Sequence, residues 1–163
     1  MTEPTSAHSH GDKGMMRKNY LMLGANLAIS TLIMYFVMFS MIDGTGSFFH
    51  NVNMFYMALT MVAPMAVLML LMMGSMYASK RLNLVLYAGF VILFAAAFLA
   101  IRSQTAVGDT QFVRSMIPHH SGAILMCQQA QLTDAELRQL CGEIVDAQRA
   151  EIEQMKRILA RLD

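Results

Sequence analysis

Residues Phe112–Met126 read Phe-Val-Arg-Ser-Met-Ile-Pro-His-His-Ser-Gly-Ala-Ile-Leu-Met, and they carry the chain's most distinctive chemistry. Two adjacent histidines, His119 and His120, follow Pro118; Met116 precedes the pair and Met126 follows it. Thioether sulfur and neutral imidazole nitrogen are soft to borderline ligands, a pairing that favours Cu(I), and Ag(I) with it, over hard cations. On a helix Met116 shares a face with His119 and His120, at i+3 and i+4. His119 leads on to Ala123 and Met126 along the same line. Thioethers have no proton to lose, so acid weakens such a site only through its imidazoles. The plain alternative is a helix N-terminus, with Pro118 at its first position and two exposed histidines behind it.

Two helices must position these side chains. Ser103–Asp109 reads as a linker with Asp109 as N-cap, followed by a helix from Thr110 that bends or restarts at Pro118 and ends near Gln131. Thr133-Asp-Ala-Glu136 matches a capping box and opens a last helix towards Leu162. Its apolar stripe runs through Leu137, Leu140/Cys141, Ile144, Ile152, Met155, Leu159 and Leu162. Gln148 sits on that stripe with Glu151 beside it, which is unusual for a purely structural helix. A turn centred on Leu132–Thr133 sets His119 and His120 opposite Val145–Asp146, and Met116 opposite Arg149. Gln148 and Glu151 then come close to the cluster and are expected to orient its imidazoles through their second nitrogens. In the alternative reading they form the solvated edge of a narrow hairpin. The expected metal ligands are Met116, His119 and His120, with Met126 or Met155 as a further thioether.

The rest of the chain is too apolar for an ordinary soluble domain: 56% of its 163 residues are hydrophobic and its mean hydropathy is +0.45. Its net charge is +1 and its basic residues are scattered, which argues against a nucleic-acid partner. Three uncharged runs, Tyr20–Ile42, Met54–Met76 and Leu82–Ile101, are each long enough to span a lipid bilayer. They divide the chain into a polar, disordered tail (1–18), a three-helix membrane region (19–102) and a C-terminal helical domain (103–163). His8 and His10 in the tail could scavenge a metal, but a flexible His-x-His of this kind is expected to do nothing. Gly24 and Ala28 form a small-x-x-x-small pair suited to close helix contact. Lys13, Arg17 and Lys18 precede the first run, Lys80 and Arg81 fill the second loop, and the Asp43–Asn53 loop has no Lys or Arg. That charge bias, with Arg102 dissenting, puts the N-terminus in the cytoplasm and the C-terminal domain outside. Trp is absent, so anchoring at the membrane surface falls to residues such as Tyr20, Tyr56, Tyr77 and Tyr87.

Methionine is abundant, with 18 in the chain, and in the second run it recurs at Met54, Met57, Met61, Met65, Met69, Met72 and Met76. That spacing follows the helical turn, so the thioethers line one face. His50 lies four residues before Met54 and extends the same face to the outer surface. A soft-metal seam of His50, Met54, Met57 and Met61 is the sharp expectation; apolar filling is the plain one.

The segment Gly108–Leu159 resembles the family called domain of unknown function 305. The resemblance rests on Asp109-Thr-Gln-Phe112, Met116-Ile-Pro-His119-His120, Gly122-Ala123-Ile, Met126, and Gln148-Arg-Ala-Glu151-Ile-Glu-Gln-Met155. It implies an all-α, ferritin-like domain behind three membrane helices, with Met and His ligands for copper in a periplasmic setting at a bacterial inner membrane. No organic cofactor is implied. A copper-handling protein is an expected partner. A hairpin this small cannot bury both faces of its helices, so two protomers are expected to complete a four-helix bundle. Di-iron chemistry is excluded for want of Glu-x-x-His pairs, since no histidine follows His120. Cys127 and Cys141 fit no zinc-finger or Cys-x-x-Cys spacing and are expected to be free thiols or core filler, although their axial offset of about 4–5 Å is compatible with a bridge. Nothing marks a nucleophile with an orienting partner, so no enzymatic activity is expected. The competing class is a structural or interaction protein whose hairpin docks a partner or a second copy.

Overall fold

The computed structural model describes residues 7–162, all helix and connecting turns. Five α-helices follow one another: α1 (Ala7–Val37), α2 (Val52–Met72), α3 (Lys80–Ser103), α4 (Asp109–Gln129) and α5 (Ala135–Leu162). Single 3₁₀ turns at Met38–Met41 and Thr45–Ser47 occupy the connection between α1 and α2. Helical structure begins at Ala7, well inside the segment expected to be a disordered tail. Extending an existing helix adds one hydrogen bond per residue and needs no new nucleus, so a polar sequence can continue it. The first six residues of that tail, and the side chains of His8 and His10, lie outside the described residues.

Contacts divide the chain into two units, Met1–Met34 with Met57–Leu99, and Tyr35–Tyr56 with Ala100–Asp163. Three helical stretches, Gly14–Met41, Val52–Met72 and Lys80–Ser103, are long and apolar enough to cross a membrane. Only 6% of the third is buried inside the chain, so its apolar surface needs lipid or another chain to cover it.

In the first unit, Leu23, Leu27, Val62, Ala66, Leu70 and Tyr77 form the core, with Met34, Met65, Met69 and Phe90 packed around it. The buried line of α2 is Ala58, Val62, Ala66 and Leu70, so the methionine line lies about a quarter turn away, on its flank. Met57 and Met61 are 44% and 48% exposed, whereas Met65 and Met69 reach the core. The expected close contact at Gly24 and Ala28 is absent within the chain. Both are exposed, and a Cβ on Gly24 would meet nothing. The small residues that allow close approach are the alanines of α2 instead. Polar bonds gather where α1, the turn after α2 and α3 meet. The Tyr20 hydroxyl donates to Asn83 Oδ1 at 2.6 Å, Asn83 Nδ2 donates to the Tyr77 carbonyl at 2.7 Å, and Asn19 donates to the Met76 carbonyl at 2.9 Å.

In the second unit α4 and α5 form an antiparallel hairpin around Val113, Ile117, Ile124, Ile152 and Leu159. Phe49, from the loop before α2, packs against the same core. This unit is therefore larger than the expected C-terminal domain: it recruits the end of α1, the first loop and the start of α2. α3 ends in a Schellman turn, in which the Thr105 N–H bonds the Ala100 carbonyl at 3.0 Å and Gln104 adopts φ 51°. α4 starts at Asp109 with Gly108 as its N-cap, in place of the expected Asp109 cap. It runs without a break through Pro118. Proline removes the hydrogen bond to the carbonyl four residues earlier, that of Arg114. Asn51 Nδ2 approaches that carbonyl at 3.5 Å and supplies a replacement donor. α5 is capped by Asp134, whose carboxylate accepts from the Leu137 N–H at 2.8 Å, one residue later than the capping box placed it.

Candidate functional site

His120 lies between α4 and α5, its side chain 12% exposed. Its Nδ1 is 2.9 Å from the Met116 carbonyl, one helical turn back, and its Nε2 is 2.7 Å from Glu151 Oε2 on α5. The Met116 carbonyl can only accept, so that bond is donated by Nδ1–H. The backbone bond orients the ring. The carboxylate holds Nε2, the atom a metal would need. Glu151, expected to bond a ring nitrogen, bonds Nε2, and the oxygen at Nδ1 is a main-chain one.

The register explains why. Cys127 and Cys141 are joined by a disulfide, with α-carbons 5.2 Å apart. That overturns the expectation of free thiols, and no described cysteine is free. Two turns further along each helix from the bridge, His120 comes level with Gln148, not with Val145, and Glu151 is one turn beyond. The symmetric-turn estimate was three residues short because the connection leaves α4 in extended conformation at Ala130 (φ −69°, ψ 133°) and α5 begins only at Ala135. Gln148 is half-buried beside the pair.

The other expected ligands are spread more widely. His119 is exposed, and its ring centroid lies 5.9 Å from that of His120. Met116 is half-buried one turn earlier. Met155 packs against the hairpin core, and Met126 is 55% exposed at the end of α4. Among the described residues no three His, Cys, Asp or Glu side chains converge on one point.

His50 departs from the expected seam. It precedes α2, which begins at Val52, so the helical line through Met54 does not extend to it. Its Nδ1 is 3.0 Å from the Tyr35 hydroxyl, and its ring stacks on Tyr35 and meets Phe36, Phe39 and Phe48 edge to face. His50 thus sits at the centre of an aromatic cluster near the end of a span-length stretch, and Tyr35, absent from the expected anchoring residues, belongs to that cluster. Of the seam residues, His50 and Met54 belong to one unit, Met57 and Met61 to the other.

The residues around His119 and His120 that sequence reasoning missed are the ones that fix α4 in place. Ser121 is fully buried, and its hydroxyl accepts from the Asp43 N–H at 2.7 Å. A Cβ on Gly122 would lie 3.3 Å from the Met41 carbonyl, so glycine permits the loop's close approach. With its amide oriented to satisfy both neighbours, Gln128 donates to Asp43 at 2.8 Å and accepts from Arg149 at 2.8 Å. Asn51, 5% exposed, caps α2 through the Met54 N–H at 2.9 Å, and Gln111 accepts the Val52 N–H at 3.1 Å. A signal was available for Ser121 and Gly122, two small residues directly after the histidines. Asn51 is a good N-cap residue for α2, but no signal was available for its second contact, to the Arg114 carbonyl 63 positions away.

Three span-length helices followed by a helical hairpin that carries the Met-x-x-His-His motif define a membrane-type, all-α protein. Residues 96–159 match the family described as Domain of unknown function (DUF305), a match that starts inside α3 instead of at Gly108. The chain is also 34% identical over 111 residues to Uncharacterized protein L153 of Acanthamoeba polyphaga mimivirus, covering 67% of this chain and 71% of that protein. The chain belongs to this family. No solved structure matches it.

Proposed function

We propose that the chain is a membrane-anchored Cu(I)/Ag(I)-binding protein that handles these ions or confers tolerance to them. The supporting observation is the bond from His120 Nδ1 to the Met116 carbonyl, which turns Nε2 into the gap between α4 and α5. Metal-bound histidines are commonly oriented this way. Glu151, with its side chain 53% exposed, has room to swing aside and release Nε2 to an ion. His119 and the Met116 thioether then complete the set, with Met126 or Met155 as a fourth donor and Gln148 beside it. Replacing His119 and His120 together with Ala in the full chain is expected to abolish high-affinity Cu(I) uptake in competition with a Cu(I) chelator. Unchanged affinity would sink the assignment.

A second reading has its own observation. With both ring nitrogens bonded, His120 and Glu151 also make a satisfied clamp between two helices, as an interaction or structural protein would use. Glu151→Ala separates the two. As a placeholder, its loss leaves Cu(I) binding intact or tighter; as a clamp, its loss lowers stability and leaves no metal effect to measure.

In this proposal the N-terminus is cytoplasmic and the hairpin unit faces the periplasm or cell exterior. The positive charges at residues 13–18 and 80–81 support that orientation, and the Cys127–Cys141 bridge is typical of an oxidising compartment. A cysteine introduced at Ala106, in the turn after α3, is expected to react with a membrane-impermeant thiol reagent in intact spheroplasts. Labelling only after lysis would reverse the topology. Pairing of two protomers belongs to the same proposal, supported by Phe112, Leu137 and Leu140, which stay 52%, 44% and 49% exposed. The first loop already covers part of α4 that a partner was expected to cover.

A further inference from the structure

The bridge joining α4 to α5 lies away from the histidines, beside a feature of its own. Cys127 and Cys141 line an open groove of about 400 Å³ together with Ala130, Leu132, Arg138 and Asp146. Both cysteines are half-buried, so the sulfurs are reachable from that groove. A dithiol reductant entering it attacks one sulfur. The protein S–S bond breaks, two protein S–H groups form, and the reductant leaves as its own disulfide.

We propose that the reduced pair is a second Cu(I) site, a two-thiolate site that exists only while the bridge is open. Each thiol gives up one proton on binding, and no electron moves in that step. With the zinc–thiolate length of about 2.3 Å as a guide, two sulfurs on opposite sides of an ion stand about 4.6 Å apart. Cysteines with α-carbons 5.2 Å apart reach that separation by χ1 rotation, with no shift of either helix. Thiolate is the softest ligand the chain offers and favours Cu(I) strongly. The two-thiolate complex carries one net negative charge. Arg138 on the groove wall opposes it with a positive charge, and Asp146 on the same wall works against it. The hairpin persists without the bridge because its helices also meet along Val113, Ile117, Ile124, Ile152 and Leu159. The redox state thus sets capacity: the oxidised chain offers thioether and imidazole alone, and the reduced chain adds a thiolate pair.

The test counts Cu(I) per chain, using the full protein in detergent, anaerobically, after the reductant has been removed. Reduced wild type is expected to take up one more Cu(I) than oxidised wild type, with a new thiolate-to-copper absorption band. The Cys127→Ser/Cys141→Ser variant is expected to match the oxidised count under both conditions. The His119→Ala/His120→Ala variant is expected to keep the extra ion on reduction, so this site stands or falls independently of the histidine cluster. Equal counts in reduced and oxidised wild type overturn the proposal. So does an extra ion that survives in the double-serine variant, or a reduced chain whose circular dichroism shows the hairpin helices lost.

Discussion

In the membrane-type unit, helices meet through aliphatic and small side chains, Leu23 and Leu27 against Val62, Ala66 and Leu70, and the polar bonds gather around Tyr20, Asn83 and Tyr77. In the hairpin unit, polar groups are set into the packing itself: Ser121 on the Asp43 N–H, Asn51 on the cap of α2 and the freed carbonyl of α4, Gln128 between Asp43 and Arg149. The first arrangement suits surroundings where every backbone group must be satisfied within its own helix. The second joins a helix to an irregular loop, and the loop's backbone groups need partners from elsewhere. One consequence is that a single polar substitution should matter far more in the hairpin unit than in the membrane-type unit.

Asn51→Ala is the substitution that tests this most sharply, and it should have the largest effect. It removes the cap of α2 and the donor to the Arg114 carbonyl at a site 5% exposed. Losing a cap costs about 1 kcal/mol, and a lost buried hydrogen bond about 1 more. The expected total is about 2 kcal/mol, read as a fall in the thermal unfolding midpoint in detergent. The matching change in the other unit is Asn26→Ala, which removes a 3.8 Å contact from Asn26 Nδ2 to the Met69 sulfur and a 3.4 Å bond from the Ser30 hydroxyl to Asn26 Oδ1. Polar contacts between membrane helices average about 0.6 kcal/mol, so Asn26→Ala should shift the midpoint at most about a third as far. Equal shifts for the two asparagines would mean that the units are not held together by different means.

The same contrast explains what could be read from the sequence. Lipid imposes one rule along a whole helix, and the three spans follow directly from uncharged runs; the second helix ends at Met72, four residues before the Met76 expected of it, at a turn through Gly74. The hairpin too was legible, because a capping motif and a 3.6-residue stripe are local signals. The pairing of His120 with Glu151 was found only to within a turn. Register depends on the conformation of five connecting residues, and those carry no periodicity. The contribution of Tyr35–Tyr56 to the second unit was not legible at all. Ser121 and Gly122 meet the first loop, and Asn51 meets the Arg114 carbonyl, across 63 to 81 positions, and the sequence does not name the partner in such a contact. The free-thiol expectation failed for a related reason: which way Cys127 faces is decided by the register, not by its neighbours.

The smallest expected effect on stability belongs to the methionine line of α2, and it carries the comparison into function. Changing Met54, Met57 and Met61 together to Leu keeps volume and helicity while removing three thioethers. Volume-conserving swaps of this kind usually cost less than about 1.5 kcal/mol, and here two of the three side chains are close to half exposed, so the midpoint should hardly move. The Cu(I) count is the more informative reading. Met57 and Met61 lie outside the buried line of Ala58, Val62 and Ala66, and His50 is engaged by Tyr35 before α2 begins. Neither observation brings an imidazole or a thiolate to these thioethers, and without one they hold Cu(I) weakly. An unchanged count, alongside loss of uptake in the His119→Ala/His120→Ala variant, is the expected result, and it would make the line a lipid-facing filler in which methionine serves as leucine does. A count lower by one or more would establish the seam, and would show that the membrane-type unit shares the soft-metal chemistry assigned to the hairpin.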